Sequence, residues 1–160
     1  MEILEETLLV LRCNSFWIEG ADTISHPRYY FFDPGVLNGL LHGFDLSKDR
    51  TGMLFEHAVV AQIQNSASAT HTPIEVFFFR TRNGIEVDFI VKINNKIWAI
   101  EAKHGDVSSS DAKSLEAFRK YLPSVNELII VIPSGPARKL KMGVLVMSVA
   151  ALIERMFVAS

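Results

Sequence analysis

Apolar positions along this chain change period several times, and the changes mark out its elements. Residues 3–11 carry apolar side chains at helical spacing. A short strand is predicted near 16–18, and the aromatic run 29–32 predicts another before Asp33-Pro34-Gly35 punctuates the chain. Helical spacing returns over 36–41. Between 41 and 52 the sequence turns polar and glycine-bearing, with His42, Gly43, Asp45, Ser47, Lys48, Asp49 and Arg50. A boundary is expected there, dividing a small N-terminal lead-in (1–45) from a main domain (46–160).

From Asp49 the pattern is helical, with Asp49 or Thr51 as cap and Met53, Val60 and Ile63 on one stripe through about Gln64. A polar loop is expected over 65–73. Three strands follow, at 74–81, 85–93 and 96–103, rich in Val, Ile, Phe and Trp. Their connectors, Asn83-Gly84 and Asn94-Asn95, tolerate the positive φ of tight turns and so predict two hairpins. After a serine-rich loop, Asp111 opens an amphipathic helix lined by Leu115, Phe118 and Leu122, which Pro123 stops. Residues 128–132 and 144–147 read as buried strands, and 149–158 as a closing helix. The order from Asp49 is αβββαβ with a further β and α, an α/β class.

Composition narrows the setting. With 160 residues, 49% of them apolar, the chain suffices for one well-buried core. The single cysteine, Cys13, supplies neither an intramolecular disulfide nor a thiolate set for zinc, which fits a reducing compartment and the cytoplasm. No apolar run is long enough to predict a membrane span, and Glu154 and Arg155 interrupt the apolar tail; the N-terminus lacks a secretory pattern. A net charge of −2 argues against a strong nucleic-acid footprint. The local basic groups at 80 and 82, 119 and 120, and 138, 139 and 141 read as solvated surface.

Candidate chemistry concentrates in the second hairpin. With Asn94-Asn95 as a two-residue loop, Asp88 is expected opposite Glu101 and Glu86 opposite Lys103, all four on one face by alternation. Two carboxylates about 5 Å apart repel by roughly 3 kcal/mol at an effective dielectric near 20. A divalent cation would answer that cost, since Mg²⁺ is held by one or two protein carboxylates while phosphate and water complete its shell. Lys103 would then polarise water or stabilise developing charge. Glu56, on the stripe of Met53, Val60 and Ile63, is expected to point at the sheet, where a lone carboxylate is costly. The competing reading is a surface ladder in which Glu86 pairs Lys103 and the acids are solvated. The five histidines show no metal spacing; His57 is expected at the surface or a boundary, and His104 on the opposite side of the sheet from the acids.

Three segments, Gly52-Met53-Leu54-Phe55-Glu56, Phe79-Arg80 with Glu86-Val87-Asp88-Phe89-Ile90, and Ile100-Glu101-Ala102-Lys103, resemble the PD-(D/E)xK nuclease superfamily. More narrowly they resemble the C-terminal domain of unknown function found on archaeal-type AAA+ ATPases. Leu4-Glu5-Glu6-Thr7-Leu8 and the Tyr29 to Gly35 stretch are similar to that family's opening segment, so the likeness covers nearly the whole chain. It implies a restriction-endonuclease-like α/β core, a central mixed sheet flanked by helices, with Glu56, Asp88, Glu101 and Lys103 on the acidic and Glu-x-Lys positions. Val87 stands where the namesake proline would be, a position many members vary. No Gly-x-x-x-x-Gly-Lys-Ser/Thr loop occurs, so the chain is not itself the ATPase and is expected to be part of a longer protein or a freestanding remnant. The resemblance implies hydrolysis of DNA phosphodiesters dependent on Mg²⁺ or Mn²⁺, with metal on Asp88, Glu101 and Glu56. The alternative is a catalytically silent module that binds DNA or regulates an AAA+ ATPase in cis or in trans. Homodimerisation through the aromatic run 29–32 is a further expectation.

Overall fold

The computed structural model describes residues 9–40 and 47–158. Its centre is the hairpin of β4 (Glu86–Ile93) and β5 (Lys96–Ala102), joined by Asn94 and Asn95 at φ of 49° and 60°. Two successive positive φ values make the tight turn whose twist suits antiparallel strands, and asparagine tolerates them. β3 (Ile74–Arg80) pairs antiparallel with β4 on its other side. β6 (Glu127–Ile132) and β8 (Leu145–Ser148) extend the sheet in parallel beyond β5, and the two-residue β7 (Arg138–Lys139) closes that edge.

The N-terminal strands belong to the same sheet. β1 (Val10–Ser15) and β2 (Arg28–Phe31) form an antiparallel pair, and β1 runs parallel to β3 through Asn14↔Phe77 and Ser15↔Phe78. The eight-stranded order is β2-β1-β3-β4-β5-β6-β8-β7. Residues 10 and 11, expected to be helical, are strand, and the strand expected at 16–18 begins and ends earlier. An unbroken apolar run satisfies either period, and here the neighbouring strands decide. The rest of the expected N-terminal helix, and the part of the expected boundary at 41–46, lie outside the described residues.

Among the described residues four helices pack on the sheet. α1 (Pro34–Leu40) leads to α2 (Lys48–Ala69), whose cap is Ser47, its Oγ accepting the Arg50 N–H at 3.3 Å, rather than Asp49 or Thr51. α2 continues beyond Gln64 because Ile63 and Ala67 keep its buried stripe going through small residues, and it stops where His71 takes a positive φ and Pro73 follows. α3 (Lys113–Tyr121) is preceded by a 3-10 turn (Ser109–Ala112), with Ser108 and Asp111 exchanging hydrogen bonds as a capping box. α4 (Val149–Phe157) closes the chain. Val59, Val60 and Ile63 of α2 and Leu152 and Met156 of α4 cover one face over Phe89, Val91, Trp98 and Ile100. Leu115 and Phe118 of α3 cover the other over Phe79, Ile90, Ala99 and Ile130. The molecule is an α/β protein with a mixed sheet between helices. Among the described residues no helix is long and apolar enough to cross a membrane.

Candidate active site

A break in strand pairing organises the acids. β3 and β4 pair through Phe77↔Ile90 and then Phe79↔Val87, so two steps along β3 match three along β4. The extra residue is a bulge, which bends a strand and resets which face its side chains meet. Val87 and Ile90 both join the core under α3, whereas Phe89 and Val91 join the core under α2. Simple alternation, the basis for expecting Glu86, Asp88, Glu101 and Lys103 on one face, does not carry across it. On the other side the β4–β5 ladder keeps its expected register from Ile93↔Lys96 to Phe89↔Ile100 and ends there. Beyond that pair, Oδ2 of Asp88 accepts the Ala102 N–H at 2.9 Å, so a side chain takes over where the backbone ladder stops.

The expected Glu86–Lys103 pair is not formed. Glu86 is held by Arg28 through Nη2 and by Arg80 at 3.4 Å, while Lys103 Nζ lies 2.9 Å from Oδ1 of Asp111. Asp111 also accepts from Ser108 through Oδ2, and its carboxyl is held down at about 2, first by Lys103 and then by the Ser108 N–H. The lysine is thus anchored to the capping box that starts α3. That bond is the largest reason its pKa lies above the ordinary value, and Glu101 and Asp88 add to the effect.

The remaining acids lie together, Asp88 buried and Glu56 and Glu101 half-buried. Asp88 is 6% exposed, and Oε2 of Glu101 is buried with no hydrogen-bond partner. Burial pushes Glu101 far up, and the neighbouring charges of Asp88, Glu86 and Glu56 push it further. Burial also raises Asp88, against the pull of the Ala102 N–H and Arg28. Glu56, on the sheet-facing side of α2, is pushed up to about 7 by burial and then by Asp88. Three carboxyl groups therefore sit within electrostatic range of one another, Asp88 buried and Glu56 and Glu101 half-buried, a setting where ionisation is costly unless a cation arrives. Among the described residues no three acid, imidazole or thiol groups are drawn tightly enough to enclose an ion. Mg²⁺ does not require that, since one or two protein carboxylates suffice. The orphaned Glu101 oxygen beside Asp88 fits such a donor set.

Residues 51–152 match the family model described as Domain of unknown function (DUF4143). The chain belongs to the DUF4143 family. A search among curated proteins found no match. Glu56, Asp88, Glu101, Lys103 and Asp111 all lie within the DUF4143 match.

Arg28 lies outside that match, yet it reaches the same site. The chain before β2 is stitched to the end of β3 by the Ile24 N–H donating to the Arg80 carbonyl (2.8 Å), the Arg82 N–H donating to Asp22 (3.0 Å) and a Thr23–Thr81 bridge. The Arg28 guanidinium then lies over the Phe78 ring, 4.7 Å from its centroid, against Glu86. Nothing in the sequence near Arg28 signals this. The Arg80–Glu86 contact was not legible either, because a two-residue Asn83-Gly84 turn would set Arg80 opposite Val87, whereas the strands pair it with Glu86. His57, expected at the surface or a boundary, is buried; its Nδ1–H donates to the Met53 carbonyl at 2.9 Å and its ring meets Tyr30 edge-on. His104, expected on the opposite side of the sheet from the acids, packs edge-on against Phe55 of α2, the helix that also carries Glu56.

Proposed function

We propose that this DUF4143 chain is a metal-dependent phosphodiesterase of the PD-(D/E)xK type, with a restriction-endonuclease-like core and DNA as substrate. The observation that carries the reading is the trio Glu56, Asp88 and Glu101, with Asp88 buried, Glu56 and Glu101 half-buried, and a buried oxygen of Glu101 left without a partner where strand pairing ends. Such a cluster is unfavourable by itself, and functional sites are where proteins tolerate it. Asp88, Glu101 and Glu56 would hold Mg²⁺ or Mn²⁺, which when bound would polarise a phosphoryl oxygen and make water a better nucleophile. Lys103, at the rim, would donate to the negative charge that grows on the phosphate as water adds to phosphorus and the bond to the leaving sugar oxygen breaks.

Supercoiled plasmid incubated with the chain and Mg²⁺ or Mn²⁺ should be nicked or cut. Asp88→Ala and Glu101→Gln should abolish cutting, and Lys103→Ala should slow it about 10²–10³-fold. Absence of cutting at every metal concentration, or equal cutting by Asp88→Ala, overturns the reading.

A second reading draws on the Lys103–Asp111 contact, which holds the lysine at a capping box. Under it the chain keeps the nuclease fold as a silent module that binds DNA or regulates an AAA+ ATPase domain. DNA or ATPase binding unchanged by Glu101→Gln, with no dependence on divalent metal, would favour it.

A further inference from the structure

A phosphate approaching Glu56, Asp88 and Glu101 meets three acids, and a metal offsets only part of that repulsion. Lys103 stands on one side, engaged by Asp111. On the other side is an open cavity of about 410 Å³ lined by Arg28, Tyr29, Tyr30, Met53, Glu56 and Glu86. Arg28 is the cation that faces it. The Phe78 ring fixes the plane of its guanidinium, and its side chain remains 23% exposed.

We propose that Arg28 is a phosphate-binding residue of this site, its guanidinium gripping non-bridging oxygens of a nucleic-acid backbone whose phosphate lies at the acid cluster. The proposal rests on the phosphodiesterase reading for the class of its ligand. A guanidinium has five N–H donors in a planar fork that matches two phosphate oxygens, and Glu86 engages it through Nη2. Glu86 is not stranded when Arg28 turns to phosphate, because Arg80 also holds it, through its other oxygen at 3.4 Å. Glu86 is also 36% exposed, so water shares in its solvation and recruiting the arginine costs little. Arg28 and Glu56 line the same cavity, so a phosphate held there by the guanidinium would lie beside the acid cluster.

The test uses the full chain and a short fluorescein-labelled DNA duplex, with Ca²⁺ in place of Mg²⁺, read by fluorescence anisotropy. Arg28→Gln should weaken binding about tenfold or more, the loss expected for one charged hydrogen-bonded contact. Arg28→Lys should recover part of it, since a point charge keeps the attraction but not the fork. A merely structural role, neutralising Glu86, predicts that the double variant Arg28→Gln with Glu86→Gln binds like the parent. The proposal expects the double variant to be as weak as Arg28→Gln. Parent-like binding by either Arg28→Gln or the double variant overturns it. Binding and cleavage separate the two ideas. Arg28-dependent binding in a chain that never cuts DNA leaves the clamp standing and removes the phosphodiesterase. Cutting that needs Asp88 but binding indifferent to Arg28 does the reverse.

Discussion

At its turn the β4–β5 hairpin is well-paired sheet. Asn94 and Asn95 occupy the left-handed region, Ile93 is buried, and Lys92 meets Glu75 at 3.3 Å while lying over the rings of Phe16 and Phe77. At its open end the same two strands abandon their ladder after Phe89↔Ile100, and Asp88 is buried there with Glu101 and Glu56 half-buried beside it. Register and packing are secured at one end, and unfavourable charge is collected at the other. The acid cluster is therefore not what holds the hairpin together. It is carried by the apolar layers behind it, which hold it in place against its own repulsion.

Breaking the turn end should produce the largest change in stability. Ile93→Ala removes most of a buried side chain and is expected to cost about 2–5 kcal/mol, measured by urea unfolding, without altering metal dependence. A mild Ile93→Ala beside a severe Glu101→Gln would reverse the assignment of the two ends.

The open end should announce itself through pH. Asp88, Glu56 and Glu101 all have pKa values raised above the ordinary 3.8 and 4.5, so the folded state binds more protons than the unfolded one above those values. Their contribution to stability is fully present below the ordinary values and is lost as pH rises through about 7 for Glu56 and higher for Glu101. The melting temperature should fall between about pH 5 and about pH 9, and Glu101→Gln should flatten that fall. Mg²⁺ should recover part of the loss at high pH, because it binds the deprotonated carboxylates of the folded state. A melting temperature indifferent to pH in the parent, or a Glu101→Gln variant that falls more steeply, contradicts this.

The smallest effect belongs to the turn itself. Asn95 has φ of 60°, so Asn95→Ala should cost about 1–2 kcal/mol and Asn95→Gly should cost nothing measurable. Equal destabilisation by both would mean that the asparagine side chain, not the backbone, holds the turn.

The same contrast explains what the sequence could disclose. The turn end was legible because Asn94-Asn95 names its own geometry, and the register it predicts holds to Phe89↔Ile100. The helical phase that aimed Glu56 at the sheet was legible for the same reason, a local period with Val60 and Ile63 buried on it. The bulge was not, because Val87, Phe89, Ile90 and Val91 are all apolar and alternation leaves no trace in such a run. β1 was missed on similar grounds, its first residues suiting helix or strand until β2 and β3 decide. Arg28 and Asp111 were hidden for another reason: each meets its partner through a tertiary contact that no spacing in the chain encodes.

The sheet also has two edges, and they differ in what they would allow to pair with them. At one edge β7 is only two residues long, and both, Arg138 and Lys139, are exposed cations. A short charged edge strand blocks the addition of a further strand, the device by which β proteins avoid polymerising edge to edge. β2 forms the other edge with an uncharged aromatic run, Tyr29, Tyr30 and Phe31, followed by the half-exposed Phe32. Between the two, any strand that joined this sheet would add at β2, alongside the segment that carries Arg28, and the growth of the sheet and the access to its acids would become one question.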